Sequence, residues 1–210
     1  MLRTSLLRKG YYPYKNISNG SFTEVYLAYH FASHETRVVK YPKPRIVGVE
    51  CSWGCTDMNL TTKIKHVKRH IEVGEKLRGV QCIPEQLETF EILFPILPKL
   101  LDLLTYNPIK DSSMCAGNLS DRYEWFSDRY AEFFKIWKLP VVINRYIRGT
   151  PVDFRNNLDS PTKEMLNSCL RQANERHVSL SDLDKPGNVI LEQSTRIPYL
   201  VDLGCSTLIE

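Results

Sequence analysis

Between residues 12 and 40, apolar and polar side chains alternate with the two-residue period of a half-buried strand. The stretch NISNGSFTEVYLAYH turns at Asn19-Gly20, and ETRVVKYP is a short β-branched strand ending in Lys40, closed by the Pro42 and Pro44 that follow. Three strands joined by turns are therefore expected. The period then lengthens: in TTKIKHVKRHIEVGEKLRG, residues 61–79, Ile64, Val67, Ile71 and Leu77 recur at helical spacing with a basic outer face. PEQLETFEILF, residues 84–94, predicts a second helix, and Pro95 and Pro98 break or kink any helical continuation past residue 94. Residues 106–121 read as a polar loop. YAEFFKIWKLPVVINRYIRG, residues 130–149, predicts two strands hinged at Leu139-Pro140. SPTKEMLNSCLRQANERH, residues 160–177, predicts a helix capped by Ser160, with Pro161 in its first turn and Met165, Leu166, Cys169, Leu170 and Ala173 on one stripe. NVILEQSTRIPYLVDLG, residues 188–204, predicts a hairpin with a polar tip. The chain has no internal repeat and no low-complexity segment.

Composition narrows the class. A length of 210 residues fits one compact domain or two small lobes, and 42% apolar with 25% charged residues is ordinary for a soluble globular chain. The net charge of +4 is too mild to demand a nucleic-acid partner, yet it suits a polyanionic small ligand. No run approaches the roughly 20 apolar residues that cross a bilayer, and the N-terminus lacks the continuous apolar core of a secretory signal. Arg3, Arg8 and Lys9, with no acidic residue before Glu24, give that end the charge of a mitochondrial presequence, but residues from Lys15 onward are needed for the strands. The cysteines at 51, 55, 82, 115, 169 and 205 are scattered through apolar or helical contexts, which predicts reduced thiols in a cytoplasmic protein, of its own cell or of a host cell.

The candidate chemistry is phosphate handling. A nucleoside triphosphate with its Mg²⁺ needs close backbone approach, a cation, and carboxylate or amide oxygens for the metal. Asn19-Gly20-Ser21 is a turn able to present backbone N–H groups, and Lys40 supplies a point cation. Asn188 and Asp202 offer hard oxygens, and Asp182 a carboxylate that orients an attacking hydroxyl.

Taken in order, these pieces resemble the protein-kinase superfamily. ISNGSFTEVYLA resembles the glycine-rich loop, VVK the lysine strand, VVINRYIRG the strand and hinge that hold adenine, VSLSDLDKPGNVIL the catalytic loop and YLVDLG the Asp-Phe-Gly segment. The resemblance runs from about residue 12 to 206, and Val25 precedes Lys40 by fifteen positions, as in that family. It implies an α+β, two-lobe fold: an antiparallel-sheet N-lobe over residues 1–147, with insertions near 41–60 and 106–121, and a truncated helical C-lobe over 148–210. It implies ATP and Mg²⁺ as cofactors and a protein substrate or partner. Ser18 and Gly20 would cover the phosphates, Val25 the adenine, and backbone groups of Arg145 and Ile147 the base. Lys40 would pair the phosphates, Asp182 align the substrate hydroxyl, and Asn188 and Asp202 hold the metal.

The departures from the family are specific. Ser18 and Thr23 stand where it usually has glycines, Leu180 replaces the catalytic-loop His, and Asp182 precedes Asn188 by six positions, one more than usual; Asp184 is the alternative to Asp182. The Glu that pairs with Lys40 is undecided among Glu72, Glu75, Glu85, Glu88 and Glu91, with the last three favoured by the adjoining FPILPKL. Only CSTLIE comes after Gly204, an economy shared in part with small effector kinases of the OspG and NleH type and with lipopolysaccharide heptose kinases. Cys51, Cys55, His66 and His70 also match a zinc-finger spacing with a short gap, which would make that stretch a metal staple or a nucleic-acid binder. The leading expectation is Mg²⁺- and ATP-dependent phosphoryl transfer to Ser/Thr hydroxyls of a protein. The rivals are a pseudokinase that binds without turnover and a small-molecule kinase of the sugar or aminoglycoside type.

Overall fold

A computed structural model describes residues 2–19, 22–43, 60–95, 136–152, 158–183, 185 and 187–209. Among these the architecture is mixed α+β. Helix α1 (Leu2–Arg8) leads into β1 (Tyr11–Asn19), β2 (Thr23–His30) and β3 (Glu35–Pro42), then α2 (Leu60–Lys76), β4 (Gln86–Pro95) and β5 (Ile136–Arg145). The second part holds β6 (Gly149–Pro151), α3 (Ser160–Glu175), β7 (Val178–Ser179), β8 (Val189–Glu192), β9 (Pro198–Leu200) and β10 (Thr207–Leu208). Strands β1 to β5 form one antiparallel sheet in the order β1-β2-β3-β5-β4, β6-β8-β9 form a second, and β7 pairs with β10. No helix among the described residues is long and apolar enough to cross a membrane.

Alternation along the strands sets the two faces of the large sheet. Val39, Tyr41, Val141 and Ile143 pack with Ala28 and with Leu6 of α1 in one cluster. Lys40, Val142 and Asn144 occupy the alternate positions, and there the neighbours are residues of α2. Helix α2 is longer at its start and shorter at its end than its periodicity predicts. Its buried line runs Leu60, Lys63, His66, Val67, His70, Val73 and Gly74, while Ile64 and Ile71 are only half-buried. A second cluster joins Val73 and Leu77 at the end of α2 to Leu166 and Ala173 of α3, Val189 of β8 and Leu200 of β9. The chain is thereby continuous from the large sheet through α2 into the second part.

Four expectations change. Residues 86–95 are a strand, not a helix: β4 pairs with β5 along its whole length, from Gln86 opposite Asn144 to Pro95 opposite Ile136. Strand β5 runs unbroken through Leu139-Pro140, because Pro140 lies opposite Glu91 of β4 alone and β3 pairs only from Val142 onward, so the missing N–H breaks no ladder. The cap of α3 is Asp159, whose Oδ1 accepts the Thr162 N–H at 2.9 Å, which puts Ser160 inside the first turn. The cysteines are not all reduced: Cys82, in the turn after α2, is joined by a disulfide to Cys169 of α3, while Cys205 is free. The stretches 44–59 and 106–121, and with them Cys51 and Cys55, lie outside the described residues.

Candidate functional site

The fifteen-residue spacing between Val25 and Lys40 becomes a direct cross-strand pair in the β2–β3 register. Lys40, 4% exposed, projects toward α2, and its Nζ donates to Asp202 Oδ1 at 2.6 Å across 162 residues of sequence. Asp202 lies just past β9, and the Gly204 N–H donates to the same oxygen at 3.2 Å. The described contacts of the carboxylate fall on Oδ1, and the side chain is 34% exposed. Burial pushes the Asp202 carboxyl up, but the neighbouring His66 ring and the Lys40 ammonium outweigh it, so the group stays ionised far below the ordinary carboxylate range.

The two histidines of α2 complete this cluster. His66 Nε2 lies 3.7 Å from Asp202 Oδ1, and its ring stacks on Phe22 with centroids 4.5 Å apart. Gly204 is packed so tightly that a Cβ there would sit 2.1 Å from His66 Nε2; only glycine fits. His70 is buried, with Nδ1 accepting the Leu203 N–H at 3.2 Å and lying 3.4 Å from Lys40 Nζ. Burial first, and then the Lys40 charge, lowers the His70 pKa to about 4, so the ring is neutral at pH 7.

None of the glutamates weighed for Lys40 has a described contact with it. Glu72 pairs with Arg69, Glu88 accepts from the Tyr11 hydroxyl, and Glu75, Glu85 and Glu91 are exposed. His66 and His70 face Lys40 and Asp202, and among the described residues no group of three or more His, Cys, Asp or Glu side chains is placed to hold a metal ion. Positions 63, 66, 67, 70, 73, 74 and 77 have helical spacing in the sequence, but only the fold shows that this ladder, and not the Ile64–Ile71 stripe, is the buried one.

Asn188 reaches the same place through the β8–β9 hairpin. The Val201 N–H donates to its carbonyl at 2.9 Å, so Asn188 and Asp202 flank one end of that pair. The extra residue between Asp182 and Asn188 is absorbed locally. Asp182 has φ +62°, the Lys185 N–H donates to its carbonyl at 3.2 Å, and Asn188 Nδ2 donates to the same carbonyl at 2.7 Å. Left-handed backbone is tolerated by Asp more readily than by most residues. Asp182 Oδ2 accepts from Lys185 Nζ at 2.6 Å. A hydrogen bond from the Cys205 thiol, then the Lys185 ammonium, lowers the Asp182 pKa, while the charge of Asp202 opposes them. The same contact, after burial, raises the Cys205 thiol to about 11. Asp182, Asn188, Asp202 and Lys40 are thus one neighbourhood.

The remaining candidates differ in placement. Ser18 pairs with Val25 in the β1–β2 register, whereas Gly20 and Asp184 lie outside the described residues. Arg145 ends β5 with its N–H given to the Glu85 carbonyl at 2.9 Å and its guanidinium to Glu192 at 3.0 Å, and Ile147 is buried beyond it. No protein-family model matches the chain, and no curated protein matches it.

Proposed function

We propose that the chain binds ATP beside the Lys40–Asp202 pair and, with Mg²⁺, transfers the terminal phosphoryl group to a hydroxyl, a Ser/Thr side chain of a protein being the leading acceptor. The observation that carries this reading is the 2.6 Å contact between Asp202 and Lys40, a lysine buried to 4% exposure and 162 residues away, where a chance strand-end lysine would lie at the surface. Lys40 on the third strand, with the next helix packed against it, is also the arrangement in which protein kinases hold their phosphate-binding lysine. On this reading residues 1–147 are the sheet-bearing lobe and 148–210 belong to the second lobe.

The donor set fits a shared Mg²⁺. Asp202 keeps Oδ2 clear of the Lys40 contact, and Asn188, whose Nδ2 is fixed on the Asp182 carbonyl, has no contact on its amide oxygen among the described residues, which would leave that oxygen as a ligand. One carboxylate and one amide are what Mg²⁺ takes when waters and phosphates supply the rest. Bound Mg²⁺ would neutralise charge developing on the phosphate oxygens. Lys40 would hold the phosphates as a fixed cation, Val25 opposite it would face the base, and Asp182 would accept or align the proton of the acceptor hydroxyl. Lys185 holds the Asp182 carboxylate in place. Catalysis of this kind is mainly positioning and charge stabilisation.

Phosphate incorporation from labelled ATP into a protein mixture tests the reading, with Asp202→Ala as control. Transfer by the native chain alone supports it; equal background from both removes the transferase claim. A second reading has its own support. With no carboxylate of α2 on Lys40, Asp202 takes the lysine directly, a state suited to a pseudokinase that binds the nucleotide without turnover. Saturable binding of a fluorescent ATP analogue with background-level transfer selects that reading.

A further inference from the structure

His70 sits where α2 meets Lys40, and its ring is used on both sides. Nδ1 receives the Leu203 N–H at 3.2 Å and faces Lys40 Nζ at 3.4 Å; Nε2 lies 3.4 Å from the Asn144 side-chain amide. A nitrogen with two donors aimed at it carries the lone pair, so the proton is on Nε2, and the acceptor end of the Asn144 amide must turn toward it. The other tautomer would set an N–H against both an ammonium and a backbone N–H. The tautomer and the orientation are therefore fixed by three other elements: β3 through Lys40, β5 through Asn144, and the turn after β9 through Leu203.

A core histidine that merely satisfies its own polarity has no need of these partners. Here one partner is the cation of the candidate site and another is the backbone N–H next to Asp202. We infer that His70 is a positioning residue, a neutral acceptor carried by α2 that fixes the Lys40 ammonium against the Asp202-Leu203 backbone. A carboxylate at this position would add a second negative charge beside Asp202; the imidazole gives Lys40 an acceptor without one. The effect of His70 on ligand binding rests on the nucleotide reading above, whereas the fixed geometry does not.

Two variants separate acceptor from bulk. His70→Asn retains an acceptor near the Nδ1 position, and His70→Phe keeps a ring of similar volume without one. Amide hydrogen exchange of Leu203 and the Kd of a fluorescent ATP analogue with Mg²⁺ are measured on the full chain. The Phe variant is expected to raise Leu203 exchange and to weaken the analogue by about tenfold each, the scale of one lost buried hydrogen bond, while His70→Asn stays within about threefold of the native chain. Amides of α3 and β8 should be unchanged. Equal behaviour of the two variants, or a Leu203 amide indifferent to the Phe change, overturns the inference. Should the Phe variant not fold, nitrogen chemical shifts of native His70 decide: a proton on Nε2 supports the inference, and one on Nδ1 overturns it. If the native chain binds no analogue, the nucleotide reading fails alone, because Leu203 exchange still reports the positioning.

Discussion

Acidification provides a direct measure of the cluster around Lys40, because His70 is held neutral by its surroundings. The ring titrates near 6.5 in an unfolded chain and at about 4 in the fold, where burial and then the Lys40 ammonium disfavour the imidazolium. Below pH 6.5 the unfolded chain therefore takes up a proton that the folded chain refuses. The stability tied to the neutral ring is complete above pH 6.5, declines as pH falls, and is gone below about 4. At about 1.4 kcal/mol per pH decade, this amounts to roughly 3 kcal/mol. Asp202 titrates far below this window and adds nothing to the slope within it. Urea unfolding of the native chain and of His70→Asn, from pH 7 to pH 4 at constant ionic strength, isolates the effect. The native chain should lose roughly 3 kcal/mol more than the variant over that interval. Lys40→Met should shrink the native loss without removing it, since burial is the larger cause and remains. Superimposable acid limbs for native and His70→Asn proteins would refute both the neutral ring and its packing against Lys40.

Packing and covalent structure set three more expected outcomes. Replacing Cys82 and Cys169 with Ala opens a crosslink spanning 87 residues, and chain entropy places the loss at about 4–5 kcal/mol, read as a lower urea midpoint without reductant; an unchanged midpoint contradicts the crosslink. Gly204→Ala drives a methyl into the His66 ring, which Phe22 backs by stacking, so a loss of about 1–3 kcal/mol with displaced His66 resonances is expected; an unperturbed His66 argues against this packing. Asp202→Asn leaves a buried ammonium without its counter-charge, and because Asp202 is 34% exposed the loss should be about 2 kcal/mol rather than the 3–5 of a fully buried pair, measured by thermal unfolding alongside loss of transfer.

Much of the large sheet was legible locally. The two-residue alternation before and after Asn19 and the β-branched run before Lys40 anticipate β1 to β3, and the Val25–Lys40 spacing carries over as a register pair. β4 was not legible, because QLETFEILF satisfies two periods. Leu87, Phe90 and Phe94 recur at helical intervals, yet only Ile92 is fully buried, and what decides the conformation is pairing with β5 some fifty residues later. The same holds for the disulfide. Cys82 and Cys169 lie in separate elements, and nothing local brings a turn after α2 to the middle of α3; the apolar cluster they share does. At the site, motif order anticipates that Lys40 and Asp202 meet, with Asn188 beside them. The α2 partner of Lys40 could not be read that way, since the kinase pattern points to a glutamate while the buried ladder of α2 carries His66 and His70.

The cluster is asymmetric toward solvent, and that asymmetry bears on how a ligand would enter. Lys40 and His70 are almost wholly buried, while Asp202 is one-third exposed. An anion can therefore reach the ammonium only by displacing a partner of Lys40, and the partner able to yield is Asp202. His70 cannot move without breaking the Leu203 N–H contact and leaving a buried donor unmatched, a penalty of about 1–3 kcal/mol. On the nucleotide reading, ligand phosphates and Asp202 compete for one ammonium, and the carboxylate that is set free is the one positioned beside Asn188 to take a metal. A second carboxylate on α2 would keep its own hold on Lys40 throughout that exchange. A neutral ring would leave the exchange to Asp202 alone, and on that reading binding, metal capture and release of the Lys40–Asp202 bond would be a single event.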